Sequence, residues 1–91
     1  MIRKAADRDL ERIMQIEEIC FSSRWTKEMF LYELHENEFG HFYVLEENQK
    51  IAGFIDFWIT FECCQLANIA VHPSFQRRGY SRCLMDFMIA S

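Results

Sequence analysis

Ninety-one residues bound the chain to one domain, and 51% hydrophobic with 15% aromatic content gives it enough apolar side chains to bury a core. A formal net charge of −4 at pH 7 argues against general nucleic-acid binding. No apolar run approaches the roughly 20 residues of a membrane helix, and Met1-Ile2-Arg3-Lys4 leads into charged sequence, so the expectation is a cytoplasmic chain with neither membrane nor nucleic acid as partner.

In chain order, Ile2-Arg3-Lys4-Ala5 is a short candidate strand. Asp7 or Asp9 supplies helix N-terminal chemistry, and Leu10, Ile13, Met14, Glu17 and Phe21 fall on one stripe, predicting a helix from about Asp7 to Cys20. Ser22-Ser23-Arg24-Trp25 reads as a loop. Thr26 is the expected N-cap of a second helix, Lys27 to about His35, with Met29, Phe30 and Leu34 inward. His41 to Glu46 has strand composition, Glu47-Asn48-Gln49 is a turn, and Ile51 to Ile59 is the next strand. Gly53 marks a bulge or a close backbone approach. The near-continuous apolar run around Phe54 to Ile59 predicts a strand covered on both faces, and Asp56, which interrupts it, reads as a strand-end or edge carboxylate. Thr60-Phe61-Glu62 turns into a fourth strand, Cys63 to Val71. Two adjacent hairpins make an antiparallel meander with helices packed on it, an α/β layered domain.

The chemistry concentrates after that strand. His72-Pro73 stops it, since proline cannot donate to a ladder and restricts its predecessor. Tyr80, Cys83, Leu84, Phe87 and Met88 then lie on one face of a helix. Gln76-Arg77-Arg78-Gly79-Tyr80-Ser81 is therefore a strand-to-helix turn with glycine at the helix entrance. A helix start has unpartnered N–H groups and a positive dipole end, which suits an anion. Gly79 removes the side chain that would hold a phosphate off that backbone, and Arg77, Arg78 and Arg82 add positive charge. The plainer reading is a glycine that only lets a loop enter a helix, with solvated arginines around it. Charge distribution favours the site: no Asp or Glu occurs from Cys63 to Met85, whereas the first 62 residues carry thirteen acidic and seven basic side chains. One cationic turn on an acidic protein suits a small anionic ligand better than a long polyanion.

The stretch N-I-A-V-H-P-S-F followed by Q-R-R-G-Y-S resembles the acetyl-CoA motif of the GNAT N-acetyltransferases, Q/R-x-x-G-x-G/A between a strand and a helix. Upstream, R-W-T-K-E-M-F-L-Y-E-L is similar to the RimI group, which acetylates the N-terminal amine of a ribosomal protein. The resemblance spans essentially all 91 residues and corresponds to the N-terminal part of a single N-acetyltransferase domain of GNAT-like fold, its C-terminal part missing. It implies acetyl-CoA as donor and a protein or peptide N-terminus as acceptor. The pyrophosphate would lie on Arg77, Arg78, Gly79, Tyr80, Ser81 and Arg82. The pantetheine arm would pair as a pseudo-strand with Ile69-Ala70-Val71, whose backbone also supplies the N–H for the thioester oxygen. The family's Pro before the tryptophan is Arg24 here, and Trp25 is either a wall of the acceptor groove or a buried anchor. Ser81 replaces the motif's Gly or Ala.

The resemblance places the proton-transfer groups on the strand and helix after the pyrophosphate helix, so the catalytic residues are unknown and the 91 residues alone are expected to turn over little. Glu62, His72 and Tyr80 can titrate or donate, but each reads more simply as a loop, strand-end or core residue. Cys20, Cys63, Cys64 and Cys83 lack zinc spacing and read as reduced thiols used as small hydrophobes, and three unclustered histidines indicate no metal site. Two alternatives stand beside N-terminal acetylation: acetylation of a small amine, and a non-catalytic module that binds CoA or pairs with another chain. The Leu66 to Val71 edge is expected either to pair with a second copy, as a homodimer, or to be filled by the remainder of a longer protein.

Overall fold

A computed structural model of the chain describes residues 1–22, 24–61 and 63–91. Strand β1 (Ile2–Lys4) leads through a 3-10 turn (Asp7–Asp9) into helix α1 (Leu10–Cys20), followed by α2 (Lys27–His35). Strands β2 (Gly40–Glu47), β3 (Lys50–Ile59) and β4 (Cys64–Val71) follow, then a second 3-10 turn (Pro73–Phe75) and helix α3 (Tyr80–Ala90). The sheet is an antiparallel meander in the order β1-β2-β3-β4. Its β2–β3 turn places both Asn48 (φ 52°) and Gln49 (φ 66°) in the left-handed region, the backbone that matches a two-residue hairpin to the twist of its strands.

Alternation along the strands sends side chains to two cores. Val44, Phe42, Phe54 and Ala70 pack under α1 and α2 with Leu10, Ile13, Ile16 and Phe30. Leu45, Ile55, Phe57 and Val71 pack under α3 with Leu84. β3 is thus covered on both faces, as its apolar run predicts. Phe30 anchors the first core edge-on to Phe54 at 5.9 Å, and burying such a ring stabilises by about 1.5–3 kcal/mol. Thr26 caps α2, its hydroxyl accepting the Met29 N–H at 3.2 Å. The N-terminus is fixed by Arg3, whose guanidinium donates to both Asp9 oxygens and to Glu46. That bonding holds the Asp9 carboxyl below the usual carboxylate range.

Gly53 answers to a close approach: a Cβ there would stand 2.6 Å from the Ala70 carbonyl oxygen. The adjoining register shift leaves Ala52 as the extra residue opposite Leu45 and Glu46. Other expectations need correction. Met29 is 44% exposed because α2 turns Phe30 and Glu33 inward, Glu33 being held by the Trp58 indole. Cys83 lies on the rim of the α3 stripe and is exposed, with Met85 packing in its place. Cys63 and Cys64 are exposed too, so only Cys20 is partly buried. Asp56 is no edge carboxylate: it sits in mid-strand between Phe42 and Asn68 and is fully buried.

Candidate functional site

The segment between β4 and α3 is shaped by local bonding. His72 caps the Pro73–Phe75 turn, its Nδ1 accepting the Ser74 N–H at 3.0 Å. Gln76 turns back, its side-chain amide donating to the Val71 carbonyl at 3.3 Å. Arg77 (φ 68°) and Gly79 (φ 78°) are both left-handed. Glycine adopts that backbone freely, whereas a residue with a Cβ is strained there by roughly 1–2 kcal/mol. Gly79 is the N-cap of α3, and the first helical bond runs from the Cys83 N–H to its carbonyl at 3.0 Å. The amides of Tyr80, Ser81 and Arg82 precede that bond and are the unpaired donors of the helix start. A Cβ on Gly79 would meet nothing within 4 Å, so the backbone faces open space.

A pocket of about 490 Å³ lies over this turn, running from Val71 and Phe75 past Gly79 to Ser81, Arg82 and Met85. Arg77, Arg78 and Arg82 are exposed, and among the described residues none of them makes an ion pair. Arg78 stacks its guanidinium over the Phe75 ring at 5.3 Å. Their charges are therefore available to a ligand in a stretch without carboxylates.

Of the residues selected from sequence, Val71, Arg77, Gly79, Tyr80, Ser81 and Arg82 share this pocket. Arg78, Ile69 and Ala70 do not line it. Ile69 and Ala70 pair with Ile55 and Phe54, and β4 has no strand partner on its other edge among the described residues. A bulge interrupts β4 just before them, since Asp56 faces Asn68 while Phe57 faces Leu66, leaving Ala67 unpaired. Gln76, Phe75 and Met85 line the pocket unselected; Gln76 opens the quoted motif, the one signal that pointed to it.

The side chains considered for proton transfer have other work. The Tyr80 hydroxyl donates to Glu47 at 3.0 Å. His72 is engaged as a cap, and burial and Arg12 lower its pKa. Glu62, like Ser23 of the expected loop, lies outside the described residues.

Beneath α1 and α2 runs a polar seam that the sequence did not reveal. Glu17, nearly fully buried, accepts the Trp25 N–H at 2.8 Å and the Asn68 side-chain amide at 2.9 Å. It thereby ties α1, the entry to α2 and the β4 bulge together. Glu33 accepts from the Trp58 indole at 2.7 Å and from Asn37 at 2.9 Å. Among the described residues no donor reaches either Asp56 oxygen, and burial first, with the neighbouring Glu33 carboxylate second, pushes its pKa up to about 9. Trp25 is half-buried: its ring packs 5.2 Å from Phe30 and also lines a surface pocket.

Residues 10–91 match the Acetyltransferase (GNAT) family. A Bacillus subtilis (strain 168) protein with the provisional name ribosomal protein bS18-alanine N-acetyltransferase is 36% identical over 80 residues, which are 88% of this chain and 52% of that protein. The crystal structure of a ribosomal-protein alanine N-acetyltransferase from Escherichia coli superposes with a TM-score of 0.88 at 28% identity, covering 99% of this chain and 57% of that one. A GNAT-like decarboxylase solved in complex with isobutyryl-CoA shares the fold at a TM-score of 0.85 and 18% identity, over 99% of this chain and 57% of its own. The chain spans about half the length of the curated relatives it matches.

Proposed function

The chain belongs to the GNAT acetyltransferase family, and from that premise we propose that the α3 turn binds acetyl-CoA and that the domain serves acetyl transfer to a polypeptide N-terminal amine, as in the RimI group. The observation that carries this reading is the turn itself. A left-handed glycine, the helix-start amides and two arginines, Arg77 and Arg82, surround one pocket at the end of β4, with Arg78 beside it, and none of the three arginines makes an ion pair among the described residues. That combination suits a pyrophosphate.

Bound acetyl-CoA supplies a thioester carbonyl for attack by the amine and a thiolate leaving group. The amides of Tyr80 to Arg82 would hold the pyrophosphate, with Arg77, Arg78 and Arg82 neutralising it. The hydroxyl of Ser81 would be a further donor to it. Ile69 to Val71 would offer the open β4 edge to the pantetheine amides, and a backbone N–H of that strand would steady the thioester oxygen. The acceptor is the N-terminal amine of a ribosomal protein, which places the work in the cytoplasm. In the 91-residue chain, β4 also offers that edge to a second copy.

Calorimetry with acetyl-CoA and with dephosphorylated acetyl-pantetheine tests the donor site. Markedly tighter binding of acetyl-CoA is expected, and equal affinities overturn the pyrophosphate assignment. Intact-mass measurement of an Ala-started peptide beside a small primary amine tests the acceptor. Acetyl gain on the small amine alone overturns the N-terminal reading.

A further inference from the structure

The outer side of α2 carries a second pocket, of about 330 Å³, remote in sequence from the α3 turn. Its walls are Trp25, Tyr32, Trp58 and Met29, and its two ionisable acids are Glu28 and Glu33. No lysine or arginine lines it. Glu28, Met29, Tyr32 and Glu33 form one face of α2, and the Trp58 indole on β3 closes the opposite side. That indole is held by its 2.7 Å bond to Glu33, so the aromatic wall and the carboxylate are fixed to each other. Asn37 takes the other Glu33 oxygen, and Glu33 is 7% exposed. Met29 and Tyr32 stand about half exposed, so the pocket opens to solvent.

Aromatic faces present negative charge to a cation, tryptophan most strongly, and an apolar wall shelters an alkyl stem. A carboxylate beside those faces adds direct attraction in a partly desolvated place. Glu33 is already answered by Trp58 and Asn37, so a neutral apolar ligand would gain from the rings but leave exposed Glu28 unanswered, and an anion would be repelled by both carboxylates. We propose that this pocket takes the cationic side chain, lysine or arginine, of the polypeptide whose amine is the acceptor. The proposal rests on the acetyltransferase reading for the identity of that polypeptide, while the cation preference rests on the pocket alone. Trp25 joins the two regions. Its ring lines the pocket, and its amide is bound to Glu17, which holds Asn68 at the β4 bulge.

Trp25 and Trp58 are the two tryptophans of the chain, and both line this pocket, so intrinsic tryptophan emission reports its occupancy. The probes are Nα-acetyl-lysine methylamide and its uncharged counterpart, Nα-acetyl-norleucine methylamide, neither of which has an amine at the α position to acetylate. Lysine should change the emission saturably and bind roughly three- to tenfold tighter than norleucine. The preference should shrink in Glu28→Gln, an exposed site whose change leaves the core untouched, in Tyr32→Ala, and in high salt. Equal response to the two probes, or no response to either, overturns the proposal. Calorimetry with acetyl-CoA separates the two readings. A lysine preference with no binding of acetyl-CoA would count against acetyl transfer and leave the cation pocket standing. Acetyl-CoA binding with no lysine preference would do the reverse.

Discussion

Gly79 and Asp56 show how differently single residues can be read. Gly79 was legible because a glycine between arginines at a predicted helix start has few other uses, although its left-handed φ of 78° emerges only from the structure. Gly79→Val must either hold a branched side chain in that backbone, at about 1–2 kcal/mol, or shift the helix start. It also fills the open space before the amides. Acetyl-CoA affinity is expected to fall about tenfold or more, read by calorimetry, with unchanged affinity counting against the site. Asp56 was misread because an interrupting carboxylate in an apolar run looks like a strand end or an edge, and only the register shows it in mid-strand opposite Phe42 and Asn68. Its buried carboxyl has a folded pKa of about 9, above the ordinary value of 3.8. Between those values the folded chain holds a proton that the unfolded chain has released, so stability falls as pH rises, by at most about 1.4 kcal/mol per unit. Asp56→Asn should flatten that slope. Urea unfolding of both proteins at pH 5 and pH 8 measures it, and parallel losses would exclude Asp56 as the cause.

At the scale of elements, the sequence carried the order and type of every strand and α-helix, because periods of two and of 3.6 alternate along the chain with clear punctuation. Thr26 marked the start of α2, and His72-Pro73 the end of β4. What it did not carry was the tie between elements. Glu17 falls on the apolar stripe of α1, where periodicity says only that it faces inward; its partners are 8 and 51 residues away. The same holds for Glu33 and Trp58, 25 residues apart. Glu17→Ala leaves the Trp25 amide and the Asn68 side chain without their acceptor, which typically costs about 1–3 kcal/mol. A lower melting temperature is expected, together with altered Trp25 emission as the entry to α2 loosens. Glu17→Gln keeps one acceptor and should lose less. Equal melting temperatures for Glu17→Ala and the parent chain would show that the tie contributes nothing.

Across the whole molecule, charge and exposure divide the two ends of the meander. β1 has three residues and is pinned by Arg3 to Asp9 and Glu46, so that edge offers little backbone to another strand. β4 has eight residues, pairs only with β3 among the described residues, and carries no lysine, arginine or proline. Edges are normally protected by such residues because their free N–H and C=O groups recruit other strands. Leu66 on this edge is 42% exposed, and Ile89 on the neighbouring α3 is 73% exposed, so apolar surface adjoins unpaired backbone. Both features favour association, and two-fold pairing is the commonest closed form. The 91-residue chain is therefore expected to form a dimer through β4. Light scattering should give twice the mass of one chain, and the β4 amides should be protected from hydrogen exchange. Leu66→Lys places a charge on the edge at an exposed position and should return the chain to monomer with its fold intact by circular dichroism. Because the same edge is proposed for the pantetheine arm, acetyl-CoA and the second copy would compete for it. Saturating acetyl-CoA should then shift the mass toward monomer in the parent chain. A monomer at all concentrations with freely exchanging β4 amides rules the pairing out, and a dimer indifferent to both Leu66→Lys and acetyl-CoA assigns it to another surface.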